Sequence, residues 1–120
     1  MGEIKSYRDL LIWQKGIAFV KQVYQETAHF PDNERYGLTN QMRRAAVSIP
    51  SNIAEGQARQ HTGEFRQFLF IALGSIAEIE TQIIISKDLG FLSDAVSASL
   101  QADLLELQKM TRTLASRLSK

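Results

Sequence analysis

The chain of 120 residues contains no cysteine, so disulfides, thiol catalysis and cysteine-ligated metal sites are excluded. It has only two prolines, and its seven glycines all stand singly. An all-β fold needs turn residues about every 8–12 positions, which this chain does not provide. With 44% hydrophobic and 22% charged residues, the composition is typical of a single folded domain, residues 1–120.

Histidine is also scarce, since only His29 and His61 are present. A di-iron four-helix bundle needs two Glu-x-x-His motifs and two further inward-facing glutamates. Glu26 and His29 form one such motif, and His61 and Glu64 have the spacing in reverse order. No nucleophile–base motif or phosphate-binding glycine loop is recognisable in the sequence. We therefore expect no metal, no cofactor and no enzymatic activity.

Neither sign of charge dominates, because 14 Lys and Arg face 13 Asp and Glu, for a net charge of +1. A dedicated nucleic-acid-binding domain usually has a larger basic excess. The longest apolar run, residues 68–73, is too short to span a bilayer, and the N-terminus does not resemble a signal peptide. The sequence thus predicts a cytoplasmic protein without membrane contact.

Apolar residues recur at three- and four-residue spacing in four segments, which predicts four helices. The expected ranges are 7–29, 34–59, 63–89 and from Ser93 or Asp94 to the C-terminus. Ser6 and Asp9 are expected to cap the first helix, Thr62 to cap the third and Gly90 to end it. Short connections between long helices are typical of an antiparallel up-down-up-down four-helix bundle, so the predicted fold class is all-α.

Pro50 lies inside the second predicted helix. A proline there removes the hydrogen bond to the carbonyl of Ala46 and should kink the helix. A break into two helices is the alternative. The apolar stripe keeps its register across Pro50, which favours the kink.

The third predicted helix is apolar around its whole circumference, because residues 68–73 are all hydrophobic. Each helix of a four-helix bundle still presents one face to solvent, so something outside the bundle should cover this one. Another subunit is the simplest explanation of what covers this helix, and the sequence therefore predicts a homo-oligomer.

Polar residues on the second and third helices recur at helical spacing. Two interpretations are open: solvated faces with intrahelical ion pairs, or a buried or interfacial network in which Arg43 or Arg44 pairs with Glu78. Such a network would specify register rather than perform catalysis. Its predicted members are Arg43, Arg44, Ser48, Asn52, Glu55, Gly74, Ser75 and Glu78.

Nucleic-acid contacts would depend on arginine, whose planar guanidinium group can bind phosphate with two hydrogen bonds. The best candidates on the second helix are Arg35, Arg43, Arg44 and Arg59. The alternative is that these side chains only make the surface soluble, and the balanced composition favours that interpretation.

One segment is specific enough to suggest a family. Residues 37–56 read GLTNQMRRAAVSIPSNIAEG. Further matches are LLIWQK at 10–15, EFRQFL at 64–69 and ALGSIAEIE at 72–80. The sequence resembles the four-helix-bundle proteins first noticed in open reading frames within intervening sequences of bacterial 23S ribosomal RNA genes. Only the fourth helix is generic.

The resemblance implies a four-helix bundle, a homopentameric ring and no enzymatic activity. That family is similar in turn to the accessory protein of diversity-generating retroelements, a basic pentamer that binds nucleic acid and a reverse transcriptase. The near-neutral charge of this chain departs from that protein. Two hypotheses follow: a pentameric module that binds structured RNA or a ribonucleoprotein, or an adaptor that binds another protein without nucleic-acid contact.

Overall fold

The computed structural model describes residues 6–118, which form four α-helices, two short 3-10 helices and no strand. The helices are α1 (Leu11–Thr27), α2 (Leu38–Ala58), α3 (Thr62–Asp88) and α4 (Asp94–Arg117). Each helix packs on the next, and α1 also packs on α4. The predicted all-α fold with four helices is confirmed, while the kink at Pro50 and the antiparallel order stay predictions.

The core lies along the centre of the bundle, and all four helices contribute to it. Its largest side chains with almost no exposure include Val23, Met42, Ile49, Ile53, Leu69, Ile79, Ile83, Leu100, Leu104 and Leu107. Burying one such side chain stabilises a fold by about 1.5–3 kcal/mol, so this core alone explains why the chain needs no disulfide.

The first helix begins at Leu11, later than predicted. Ser6 and Asp9 do form the expected capping box, but it caps a separate 3-10 helix, Tyr7–Asp9. Leu10 then has an extended backbone, with φ −77° and ψ 127°, so helical structure has to start again after it. The helix ends at Thr27, two residues before the predicted end.

The second helix begins at Leu38, four residues later than predicted, because the preceding Asp32–Glu34 is a 3-10 helix. The Glu34 carboxylate accepts a hydrogen bond from the backbone N–H of Leu38 at 3.1 Å. The helix is continuous through Pro50, so a break into two helices does not occur. Pro50 packs against α1, where a Cβ added at Gly16 would lie 3.3 Å from the proline Cβ.

The third helix starts at Thr62, so the expected cap is wrong: His61 occupies the cap position, without a side-chain hydrogen bond. The helix ends at Asp88, one residue before the predicted end, and Gly90 follows it in the predicted role. Gly90 has φ +83°, a conformation that suits glycine, and the N–H of Phe91 donates to the carbonyl of Ser86. This pattern is a Schellman motif, which satisfies carbonyls left free at the helix end.

The fourth helix settles the choice between the two predicted starting residues. Ser93 is the N-cap, and its hydroxyl accepts a hydrogen bond from the backbone N–H of Val96 at 3.1 Å. Asp94 is therefore the first helical residue, where its negative charge interacts favourably with the helix dipole.

By length and composition alone, α3 could cross a membrane, although its longest apolar run is short. Core helices of water-soluble proteins meet the same criterion, and 44% of the apolar window is buried inside the bundle. Length and composition are therefore weak evidence for a membrane span here.

Candidate interaction surfaces

Arg43 faces α1 rather than α3. Its Nε donates to the Thr27 hydroxyl at 2.9 Å, and its Nη2 donates to the Tyr24 carbonyl at 3.3 Å. The guanidinium group also lies 4.5 Å from the centroid of the Tyr24 ring. All these partners are neutral, and Arg43 forms no ion pair with a carboxylate within residues 6–118.

The predicted ion pair with Glu78 does not form in the described part of the chain. Arg44 and Glu78 are both exposed, on the outer surfaces of α2 and α3. Glu78 accepts a hydrogen bond from its own helix neighbour Gln82 at 3.4 Å. Pairing two exposed charges gains little in water, which explains why the side chains stay apart.

A smaller polar cluster does join α2 to α3. The hydroxyl groups of Ser48 and Ser75 are 2.7 Å apart, and Asn52 donates to the carbonyl and the hydroxyl of Ser48 at 2.8 and 2.9 Å. The cluster is neutral and partly buried between the two helices. It fixes their register but offers no charged group to a ligand.

Arg59 lies at the opposite end of α2 and is held by two acidic side chains. Its guanidinium binds Glu55 at 2.8 Å and Glu64 at 3.1 Å, and lies 4.9 Å from the centroid of the Phe68 ring. The hydrogen bonds to Glu55 and then Glu64 raise the pKa of Arg59 above its usual value. With two carboxylates around one guanidinium, this end of α2 is locally acidic and does not favour phosphate.

Arg35 and Arg43 are the two predicted arginines that the fold brings to one site. They line a groove of about 470 Å³ where α1 ends and α2 begins, which we call the α1–α2 groove. The groove residues are Thr27, Ala28, Phe30, Pro31, Asp32, Arg35, Tyr36, Thr39, Asn40 and Arg43. Tyr36 was not among the predicted residues. Its position next to Arg35 in a polar segment was the only feature of the sequence that could have indicated a role in this groove.

The groove and the helix surfaces offer no evident metal site. Within residues 6–118, no group of three or more His, Asp and Glu side chains is placed to hold a metal ion. The expectations of no cofactor and no catalysis stay predictions.

The solvent side of α3 carries an unusual amount of apolar surface. Phe70, Ile71, Ile84 and Ile85 are each between 43% and 46% exposed. They share one side of the helix with further exposed residues at helical spacing, and together they define the outer face of α3: Phe70, Ile71, Gly74, Ala77, Glu78, Thr81, Ile84 and Ile85. Exposed apolar side chains gathered on one side of a helix often mark an interaction site.

Gly74 lies on the outer face of α3, one helical turn after Phe70. A Cβ added there would meet no atom within 4 Å. Gly56 is different, because a Cβ at that position would lie 2.6 Å from the Cβ of Phe68, so the packing of α2 on α3 requires glycine. A glycine inside a helix costs about 1 kcal/mol relative to alanine, and at Gly74 no contact within the described chain offsets this cost.

Comparison with known proteins supports the fold. The family model described as 23S rRNA-intervening sequence protein matches residues 8–113. A solved protein of unknown function from the S23 ribosomal protein family of Bacteroides thetaiotaomicron VPI-5482 is similar with a TM-score of 0.77 and 21% identity, covering 92% of this chain and 100% of that chain. This likeness concerns the fold alone. The search of curated proteins finds no match. Since the family model covers most of its length, the chain belongs to the 23S rRNA-intervening sequence protein family.

Proposed function

We propose that the chain is a non-enzymatic cytoplasmic protein that assembles into a homo-oligomer, a pentamer, and that this assembly binds structured RNA or a ribonucleoprotein. The observation that carries the proposal is the outer face of α3, an exposed apolar surface that includes Gly74, a glycine that no contact within the described chain requires.

The shape of this face fits another protein chain. The small residues Gly74 and Ala77 lie between two pairs of large apolar side chains. The first pair is Phe70 and Ile71, and the second is Ile84 and Ile85. Small residues at the centre allow a neighbouring backbone to approach closely. Glu78 is exposed on the same face, and a carboxylate would be costly in a lipid bilayer, so a protein partner is the better match.

A second copy of the chain is the partner that this proposal names. Closed rings form when one surface of each subunit binds a different surface of the next. The number five comes from the family resemblance rather than from the geometry of one subunit.

The proposed RNA contact rests on the α1–α2 groove, which Arg35 and Arg43 both line. One subunit has a net charge of only +1 and would bind weakly. Repeating the groove around a ring links weak sites together, and linked sites gain affinity through effective concentration. The near-neutral charge also supports a second candidate, a protein-binding adaptor that contacts no nucleic acid.

A gel shift with structured RNA separates the two candidates. The wild-type protein should shift the RNA at low salt and release it as salt rises, because phosphate contacts depend on counterion release. Arg35→Gln should weaken binding several-fold. Arg59→Gln is the matched control, since it removes the same charge from a guanidinium already compensated by Glu55 and Glu64.

Two outcomes contradict the RNA proposal. If the wild-type protein shifts no structured RNA at low ionic strength, the adaptor function replaces it. If Arg35→Gln and Arg59→Gln weaken binding equally, the contact is not at the groove.

A further inference from the structure

We infer that the α1–α2 groove binds one unpaired nucleotide, with its base stacked on Tyr36 and its phosphate held by Arg35 and Arg43. This inference rests on the RNA-binding part of the proposed function and specifies the site and the form of RNA that it recognises.

The size of the groove suits this ligand. Its volume of about 470 Å³ lies within the range of about 300–1,000 Å³ that is usual for small-ligand pockets. One wall comes from the end of α1 and the segment with Phe30 and Pro31, and the other from the first turns of α2. A groove open to solvent on one side can admit a nucleotide while the rest of an RNA strand passes outside.

Tyr36 is the group that points to a base. The residue is 85% exposed, the largest exposure among the exposed large hydrophobic residues, and its ring has no aromatic or cation–π contact within residues 6–118. A flat ring left free at the edge of a groove is the kind of platform on which single-stranded nucleic acids stack. The adjacent Arg35 can contact the phosphate of the same nucleotide.

The charge of the groove favours a phosphate. Arg43 is half-buried and held in place by neutral groups of α1, and Arg35 is exposed without an ion pair in the described chain. Asp32 is the one acidic residue that lines the groove. Two guanidinium groups therefore face one carboxylate, the reverse of the arrangement around Arg59.

Two further groove residues can read the edge of a base. The side chains of Thr39 and Asn40 make no hydrogen bond within residues 6–118, although both line the groove. The amide of Asn40 offers both donors and an acceptor, as base edges do. Tyr36, the two arginines and these two polar groups together provide stacking, charge and hydrogen bonding in one place.

An unpaired nucleotide is required because a duplex hides its bases. In an A-form helix the faces of the bases are stacked on each other, and proteins that recognise structured RNA by sequence bind loops, bulges and ends. The ring of Tyr36 can therefore stack only on a base that a loop, a bulge or an unpaired end exposes.

The test compares two RNAs of equal length and charge, a hairpin with an unpaired loop and a blunt duplex, by fluorescence anisotropy at low salt. The wild-type protein should bind the hairpin about five-fold or more tightly than the duplex, which is the lower end of the effect of one stacked base. Tyr36→Ala should remove this preference without changing affinity for the duplex, and Tyr36→Phe should keep it. Because the ring is exposed, neither variant should alter the thermal unfolding of the protein.

The groove inference is overturned if the wild-type protein binds hairpin and duplex equally, or if Tyr36→Ala weakens both equally or leaves the preference intact. In these cases RNA binding itself still stands. If the wild-type protein binds neither RNA, the RNA-binding part of the proposed function falls together with the groove inference, and the adaptor function remains.

Discussion

Arg43 and Arg44 are adjacent in the sequence but have different environments. Consecutive helical residues point about 100° apart, so one guanidinium turns to α1 while the other stays in solvent. Arg43 donates to Thr27 and to the Tyr24 carbonyl, whereas Arg44 is exposed and makes no ion pair within residues 6–118. The two residues therefore make a matched pair for measuring what the contact with α1 contributes.

We expect Arg43→Ala to lower the free energy of unfolding by about 1–2 kcal/mol, because it removes charge-assisted hydrogen bonds that are partly shielded from water. Arg44→Ala should change it by about 0.5 kcal/mol or less, as is usual for an exposed side chain without partners. Urea unfolding followed by circular dichroism measures both values. Equal effects of the two substitutions would contradict the assigned roles.

The residues of the groove show what sequence patterns cannot supply. Helical spacing predicted four arginines on one helix, but Arg35 precedes α2. The spacing also could not show that Arg59 binds two carboxylates, since Glu64 belongs to the next helix. Tyr36 was missed because an isolated tyrosine is as often buried as exposed. The contact with Glu64 and the exposure of Tyr36 depend on tertiary structure, whereas Glu55 and Arg59 form an i, i+4 pair that helical spacing allows.

At the scale of the elements, periodicity predicted the four helices well and their starts less well. The number and type of helices follow from apolar spacing and from cap residues such as Ser93 and Gly90. The starts of the first and second helices were predicted too early. Leu10 is apolar and fits the stripe, yet its backbone is extended, and Glu34 reaches forward to cap Leu38.

The outer face of α3 gives the prediction that belongs to this scale. Gly74→Leu should abolish self-association while leaving the helical content of each subunit unchanged, because Gly74 is exposed and a Cβ added there meets no atom within 4 Å. Size-exclusion chromatography and circular dichroism measure the two effects. Ala102→Leu is the control, since it adds the same side chain at an exposed position of α4 outside this face.

This prediction can fail in two distinct ways. If Gly74→Leu still assembles, the outer face of α3 is not the interface. If Ala102→Leu dissociates the protein as strongly, an added leucine disrupts assembly without regard to position, and the special role of Gly74 is lost.

At the scale of the whole molecule, the fold and the family are established, and both leave the function open. The similar solved protein has an unknown function itself, so the fold carries no role with it. The molecule combines near-neutral overall charge with a locally basic groove, and a compact core with an exposed apolar helix face. Both contrasts are explained if the functional unit is an oligomer of this chain.

The measurement that tests this account most directly is light scattering of the purified wild-type protein at micromolar concentration. We expect a particle of about five times the subunit mass of 13.5 kDa, because the outer face of α3 should be covered by a neighbouring subunit. A particle of 13.5 kDa at this concentration would contradict it, since the face around Gly74 would then be exposed to water in the free protein.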